Sequence, residues 1–136
     1  LICQSEWLFS QSLKGNTIQD LRELLQLHPQ LDMRFEAAPA IGQASVDILL
    51  INTLLPYRYA YAKAQRDRFA MQQAIDLMAE IPAENNTIIR QWRMLGQEIK
   101  SAADTQALIH LYQHYCQHEQ CIHCEVGQQV FELWKQ

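Results

Sequence analysis

The chain has 136 residues, the length of one ordinary domain, and a net charge of −4 from 11 Lys and Arg against 15 Asp and Glu. This balance argues against a stand-alone nucleic-acid binder, whose surface is usually basic. No apolar run is long enough to span a bilayer, and four cysteines are too few for a disulfide framework. We therefore expect a cytoplasmic protein with no membrane partner.

The composition predicts helices. Ala, Leu, Gln and Ile are abundant, Val is scarce, and there are only 4 Gly and 4 Pro. We predict an all-α fold in which residues 1–136 form a single compact bundle of about six helices. Because the sequence begins at Leu1 without an initiator Met or a signal-peptide pattern, we expect it to lie within a longer polypeptide. The rest of that polypeptide is its first expected partner, and the oligomeric state is left open.

The first two helices are predicted from their caps and prolines. Thr17 is a predicted N-cap of a helix that ends before Pro29. A long helix follows over residues 43–64, and it is apolar almost all round, so we expect it to be the central buried helix. It contains Pro56, which lacks a backbone N–H, and a kink is therefore predicted near Asn52.

Four more helices complete the bundle, each indicated by a capping residue or by apolar spacing. They are predicted over residues 68–81 after Asp67, 87–100 after Asn85 or Asn86, 102–117 after Ser101, and 125–134. No segment shows a convincing strand alternation. Leu31, Met33 and Phe35 alternate, so a short extended piece is one interpretation of residues 29–42, and an irregular loop is the favoured one; these residues lie outside those that the structure describes. The fold is therefore expected to be all-α.

Three cysteines are the strongest candidate for chemistry, in the pattern Cys116-x4-Cys121-x2-Cys124. Two cysteines at the shorter spacing form the knuckle typical of zinc sites, because two thiolates on a tight turn can reach one tetrahedral ion. The three are therefore candidate metal ligands, with zinc as the expected ion. An iron–sulfur cluster is less expected, since it needs a fourth cysteine, either Cys3 or one outside the chain.

A closed zinc site needs a fourth ligand, and the candidates are His114, His118, His123 and Cys3. His110 lies four residues before His114 on one predicted helix face, but no Glu follows it to complete a protease-type zinc motif. A solvated polar face is the favoured interpretation of these histidines. Two alternatives remain open for the cysteines: reduced thiols packed in a helical turn, or a disulfide such as Cys116–Cys121.

A second candidate site is a basic stretch, Arg58, Lys63, Arg66 and Arg68, which is interleaved with tyrosines. Aromatic and basic residues together can stack on bases and hold phosphates. The favoured, purely structural interpretation is that these tyrosines line the edge of the core and that their hydroxyls are hydrated. The net charge does not support nucleic acid as a partner. No phosphate loop, nucleophile motif or carboxylate pair is present, so no catalytic residue is predicted.

Three stretches together resemble a known family. They are Ile51-Asn-Thr-Leu-Leu-Pro-Tyr-Arg-Tyr-Ala-Tyr61, Pro82-Ala-Glu-Asn-Asn-Thr-Ile-Ile-Arg-Gln-Trp92, and the run from Ala103 to Cys116 that continues into Cys121-Ile-His-Cys124-Glu-Val-Gly127. In order and spacing they resemble the C-terminal part of the DUF2851 family of uncharacterised bacterial proteins, which is common in Bacteroidetes. The resemblance covers roughly residues 41–133 and is much less clear over the first forty residues.

The resemblance implies that the chain is the C-terminal fragment of a protein several times longer. The N-terminal part of such a protein carries a Gly-Asp-x-Glu-x-His type motif reminiscent of nuclease folds, which this sequence lacks. The resemblance also implies that Cys116, Cys121, Cys124 and Gly127 belong to the family pattern. Three hypotheses follow: a non-catalytic helical interaction module of a larger bacterial protein, a nucleic-acid-associated domain beside a nuclease-like region, or a metal-binding structural module.

Overall fold

A computed structural model describes residues 11, 13–26 and 42–135 of the chain. Within these ranges the structure has six helices, two short 3₁₀ turns and no strand, which confirms the all-α prediction. The helices are α1 (Ile18–Gln26), α2 (residues 43–64), α3 (Arg68–Ala79), α4 (Thr87–Met94), α5 (Ala102–His114) and α6 (Glu125–Leu133). In the described part of the chain, no helix is both long enough and apolar enough to cross a membrane.

The described residues cluster into two compact units, the first ending at Ile81 and the second beginning at Pro82. The first unit contains α1, α2 and α3, and the second contains α4, α5 and α6. That residues 1–136 form a single domain stays a prediction.

Helix α2 changes from α-helical to π-helical hydrogen bonding in the turn that precedes Pro56. The segments Gln43–Leu49 and Leu55–Ala64 are α-helical, and Leu50–Leu54 between them is π-helical, with the N–H of Leu55 donating to the carbonyl of Leu50. Proline offers no N–H to the preceding turn, and a π turn is one of the regular ways in which a helix accommodates such a break. The π-helical segment includes Asn52, where the kink was predicted, and the kink itself stays a prediction.

The burial of α2 is one-sided rather than all round. Val46, Leu50 and Leu55 are at most 1% exposed, whereas Ile48 and Leu49 are 56% and 41% exposed. In the described residues, α2 contacts α1 and α3. The first unit is also held by an ion pair, in which Nε of Arg22 lies 3.0 Å from Oδ1 of Asp47.

The turn from α2 to α3 is tight and locally encoded. Arg66 has φ of 57°, a left-handed conformation that ends α2, and the N–H of Asp67 donates to the carbonyl of Ala62 at 2.9 Å. Asp67 is the N-cap of α3, as predicted, since its Oδ1 accepts from the N–H of Ala70 at 3.0 Å. Helix α3 then packs Ala74 against the core of the first unit.

Helix α4 begins at its predicted cap but ends six residues early. Oδ1 of Asn86 accepts from the N–H of Ile89 at 3.0 Å. At the other end Gly96 has φ of +85°, and the N–H of Gln97 donates to the carbonyl of Trp92 at 3.1 Å. This is a glycine-terminated helix end, so the predicted extension to residue 100 is wrong.

Helices α5 and α6 follow the sequence expectations more closely. Ser101 and Asp104 form a reciprocal capping box at the start of α5, which fixes its first turn. The helix ends at His114 rather than at residue 117, because the chain tightens into a 3₁₀ turn at Cys116–His118. Helix α6 spans Glu125–Leu133, within one residue of its predicted range.

Candidate functional site

The three cysteines lie in a compact double turn between α5 and α6, here named the cysteine turn (residues 115–124). It consists of two 3₁₀ turns, Cys116–His118 and Cys121–His123. Between them Glu119 has φ of 55°, and this left-handed residue reverses the chain direction. The N–H groups of His118 and Gln120 both donate to the carbonyl of Tyr115, at 3.2 and 3.0 Å. The turn is therefore built from its own backbone hydrogen bonds.

Helix α6 packs its backbone directly on the cysteine turn at Gly127. A Cβ added to Gly127 would lie inside contact distance of the carbonyl oxygen of Cys121, and 3.0 and 3.1 Å from the carbonyl carbon and Cα of Cys121. The side chain of Gln128 adds a hydrogen bond, with Nε2 donating to the carbonyl of Ile122 at 2.8 Å. Gly127 is thus required by close approach, and the turn clasps the start of α6.

The three thiols are free but differ in exposure. Cys116 and Cys121 are exposed, whereas Cys124, the N-cap of α6, is 6% exposed. Partial burial, together with the negative charges that Cys124 and Cys121 would carry as thiolates, raises the pKa of the Cys116 thiol above its ordinary value. The thiols are close enough to influence one another, and Cys116 is protonated at neutral pH.

The predicted zinc ligands are neighbours, but they do not form a coordination site here. Among the described residues, no three side chains of His, Cys, Asp or Glu converge as ligands of one ion. His110 and His114 stack on each other, with ring centroids 4.1 Å apart, and His118 and His123 are exposed. Cys3 lies outside the described residues. Zinc or iron–sulfur binding at Cys116, Cys121 and Cys124 stays a prediction.

The basic stretch is divided by the fold. Lys63, Arg66 and Arg68 are exposed around the turn between α2 and α3. Arg58 was expected beside them, but it is only 5% exposed, so it is not available to a phosphate at the surface. Its Nη1 donates to the carbonyl of Gly15 at 2.7 Å, and its Nη2 donates to Oε1 of Gln73 at 3.2 Å. Burial lowers the pKa of Arg58.

Arg58 lines a cavity of about 190 Å³ in the first unit. The cavity is bounded by the turn between α2 and α3 and by residues just before α1. Its lining combines apolar and polar side chains, among them Leu13, Arg58, Ala62, Gln65, Asp67 and Gln73. A cavity of roughly 150 Å³ in a protein core can hold a molecule the size of benzene, so this one is large enough for a small ligand.

Comparison with known protein families gives one assignment. Residues 1–87 match the family described as "Protein of unknown function (DUF2851)". The chain belongs to the DUF2851 family. No curated protein and no solved structure matches the chain.

The matched range divides the candidate sites of this DUF2851 chain. The cavity residues, from Leu13 to Gln73, all lie within residues 1–87, and the cysteine turn lies beyond them. The match includes the first forty residues, where the sequence resemblance was expected to be weakest. Membership of Cys116, Cys121, Cys124 and Gly127 in the family pattern stays a prediction.

Sequence reasoning missed the cavity altogether. The signal that could have found it is the position of Arg58 on the buried face of α2, at helical spacing from Ile51, Leu55 and Ala62. A charged residue on an apolar stripe requires buried hydrogen-bond partners. Those partners, Gly15 and Gln73, lie 43 and 15 residues away in this DUF2851 chain and leave no local trace.

Proposed function

We propose that the chain is a helical interaction module of a larger bacterial, cytoplasmic protein, and that α6 pairs with α6 of a second copy. The observation that carries the proposal is an apolar stripe along α6. Val126, Val130, Leu133 and Trp134 recur at helical spacing, and they are 51%, 46%, 69% and 85% exposed. No residue of α6 is buried, so its apolar face has no cover in the second unit.

The apolar stripe of one copy can pack against the same stripe of a second copy without charge repulsion. The residues that border it, Gly127 and Gln129, are uncharged, and the acidic residues Glu125 and Glu132 lie on the opposite face. In an antiparallel pair centred on Val130, each Val126 meets the partner's Trp134. Glu125 then lies at the same end as Lys135 of the second copy, and the two helix dipoles oppose each other.

The proposal is tested by sedimentation equilibrium of the wild-type chain and of Val130→Glu. The substitution puts two like charges at the centre of the pair and removes apolar contact. We expect the dimer dissociation constant to rise by at least about tenfold. Gln91→Glu is the matched control, because it adds the same charge on an exposed face of α4 and should leave the constant unchanged. A wild-type chain that stays monomeric at about 0.1 mM, where a micromolar pair would be mostly dimer, would refute the pairing.

Nucleic-acid association beside a nuclease-like region is a second candidate, and the exposure of Lys63, Arg66 and Arg68 around one turn supports it. Three phosphate contacts would give binding that weakens with salt, with a slope near −3 or shallower. Replacing all three residues by Gln should remove most of that slope in a fluorescence anisotropy titration. If wild-type binding to DNA and RNA shows no salt dependence, this candidate is wrong.

A further inference from the structure

The buried guanidinium of Arg58 has no anionic partner among the described residues. Its two hydrogen bonds go to neutral acceptors, the carbonyl of Gly15 and the side-chain amide of Gln73. The two ion pairs in the described ranges join other residues. A buried cation is costly unless a charge or a full set of hydrogen bonds compensates it. Two bonds satisfy only part of a group with five N–H donors.

Arg58 lines the cavity and has N–H donors that no described residue accepts. Its Nε has no hydrogen bond in the described part of the chain. No fully buried side-chain nitrogen or oxygen there lacks a hydrogen-bond partner. Nε is therefore not both fully buried and unpaired, and its side chain belongs to the lining of the cavity. A ligand in that cavity could accept hydrogen bonds from the guanidinium.

The wall of the cavity also carries one negative charge. Asp67 lines it, and although Oδ1 of Asp67 accepts from the N–H of Ala70, the carboxylate retains further acceptor capacity. No ion pair joins Arg58 to Asp67 in the described residues, so the two opposite charges face the same space without neutralising each other. Gln65, Gln73 and Tyr61 also belong to the lining, and Leu13, Ala62 and Ala70 supply apolar surface.

We propose that this cavity binds a small carboxylate that carries an amino group, of which an α-amino acid is the simplest example. The ligand carboxylate accepts from Arg58, and its ammonium group donates to Asp67. A simple anion satisfies Arg58 but meets Asp67 as a like charge, and a simple cation has the reverse problem. A zwitterion of this size compensates both groups in a cavity of about 190 Å³.

The test is an NMR titration of the whole chain with glycine, L-alanine, acetate and methylammonium as separate probes. Saturable shifts of the Arg58 Nε–H and the Gln73 side-chain amide resonances are expected with glycine and alanine. Acetate should bind at least about fivefold more weakly, because it makes only one of the two charged contacts. Absence of saturable shifts with both amino acids would overturn the proposal, as would equal affinity for acetate and glycine.

Two variants identify the site. Asp67→Asn retains the helix cap, since Asn caps as well as Asp, and it should weaken glycine binding about tenfold while leaving acetate binding unchanged or stronger. Ala70→Leu fills the cavity and should abolish binding, whereas Ala79→Leu on the exposed end of the same helix should not affect it. Unchanged glycine affinity in Asp67→Asn would contradict the assignment even if Ala70→Leu fails to fold.

Discussion

Replacing Gly127 by Ala tests whether α6 is clasped by the cysteine turn. In a free helix this change is favourable, because Ala exceeds Gly in helix propensity by up to about 1 kcal/mol. Here the new Cβ would collide with the carbonyl oxygen of Cys121 and lie 3.0 Å from its carbonyl carbon. Every atom it meets belongs to the backbone, so no side chain can rotate away.

The turn resists the necessary shift. Two hydrogen bonds hold it in place. The N–H of Cys124 donates to the carbonyl of Cys121 at 3.3 Å, and Nε2 of Gln128 donates to the carbonyl of Ile122 at 2.8 Å. Inserting a methyl group into such a contact typically costs about 1–3 kcal/mol. The collision is with backbone, so the cost lies in the upper part of this range, about 2–3 kcal/mol. After subtraction of a propensity gain of about 1 kcal/mol, we expect α6 to be destabilised by about 1–2 kcal/mol, which is about 5–30-fold in its local opening equilibrium.

Amide hydrogen exchange read by mass spectrometry can measure this opening for peptides that cover α6. Gly127→Ala should exchange about 5–30-fold faster there and unchanged in α3, which belongs to the first unit. Gln129→Ala is the control, because it places an alanine at an exposed position of the same helix with only a small gain in helix propensity. Equal or slower exchange in Gly127→Ala would show that α6 does not press on Cys121, and the clasp would be refuted.

Three other effects follow from buried or perturbed groups. Arg58→Lys should lower the free energy of unfolding of the first unit, measured in urea, by about 1–3 kcal/mol, because Lys cannot make both hydrogen bonds of the guanidinium. The control Arg68→Lys, at an exposed position, should change it by less than about 0.5 kcal/mol. The pKa of Asp104 is lowered by the N–H groups of Lys100 and Ser101, so its stabilisation is present above its usual pKa of 3.8 and lost as pH falls through the lower folded pKa. Asp104→Asn should therefore flatten the acid limb of melting temperature against pH, and an unchanged limb would contradict this account. The rate at which iodoacetamide labels Cys116 should have a pH midpoint above the ordinary thiol value of 9.0. Cys121→Ser should lower that midpoint, because it removes a neighbouring thiolate. A midpoint that does not move would argue against an electrostatic effect of Cys121 on Cys116.

Sequence reasoning succeeded where the interaction is local. The caps Asp67, Asn86 and Ser101 each accept from a backbone N–H three residues later, so the partner is visible in the sequence itself. The irregularity of α2 is equally local, since Pro56 removes a donor at a fixed distance from Asn52. These features place the ends and the break of the helices without knowledge of what packs on them.

The prediction from the sequence failed at the end of α4, where two local signals competed. The apolar spacing of Trp92, Leu95 and Ile99 extends the helical pattern beyond Gly96, and periodicity alone predicted one helix to residue 100. In the structure Gly96 takes a left-handed conformation, and Leu95 is 78% exposed. The glycine stop prevails because Leu95 and Ile99, on either side of it, gain too little burial to hold the helix together.

The candidate sites depend on which residues the fold brings together, and residue spacing alone does not specify this. Arg58 looks like a surface cation in the sequence, because only the position of Gly15 and Gln73 in the fold makes its burial tolerable. The cysteine pattern has the opposite property: its spacing suggests that the thiols converge on one ion, yet no three ligand side chains converge among the described residues. In this turn the backbone makes the closest contact, between Gly127 and Cys121. A packing role therefore explains why residue 127 is a glycine, independently of any metal at the cysteines.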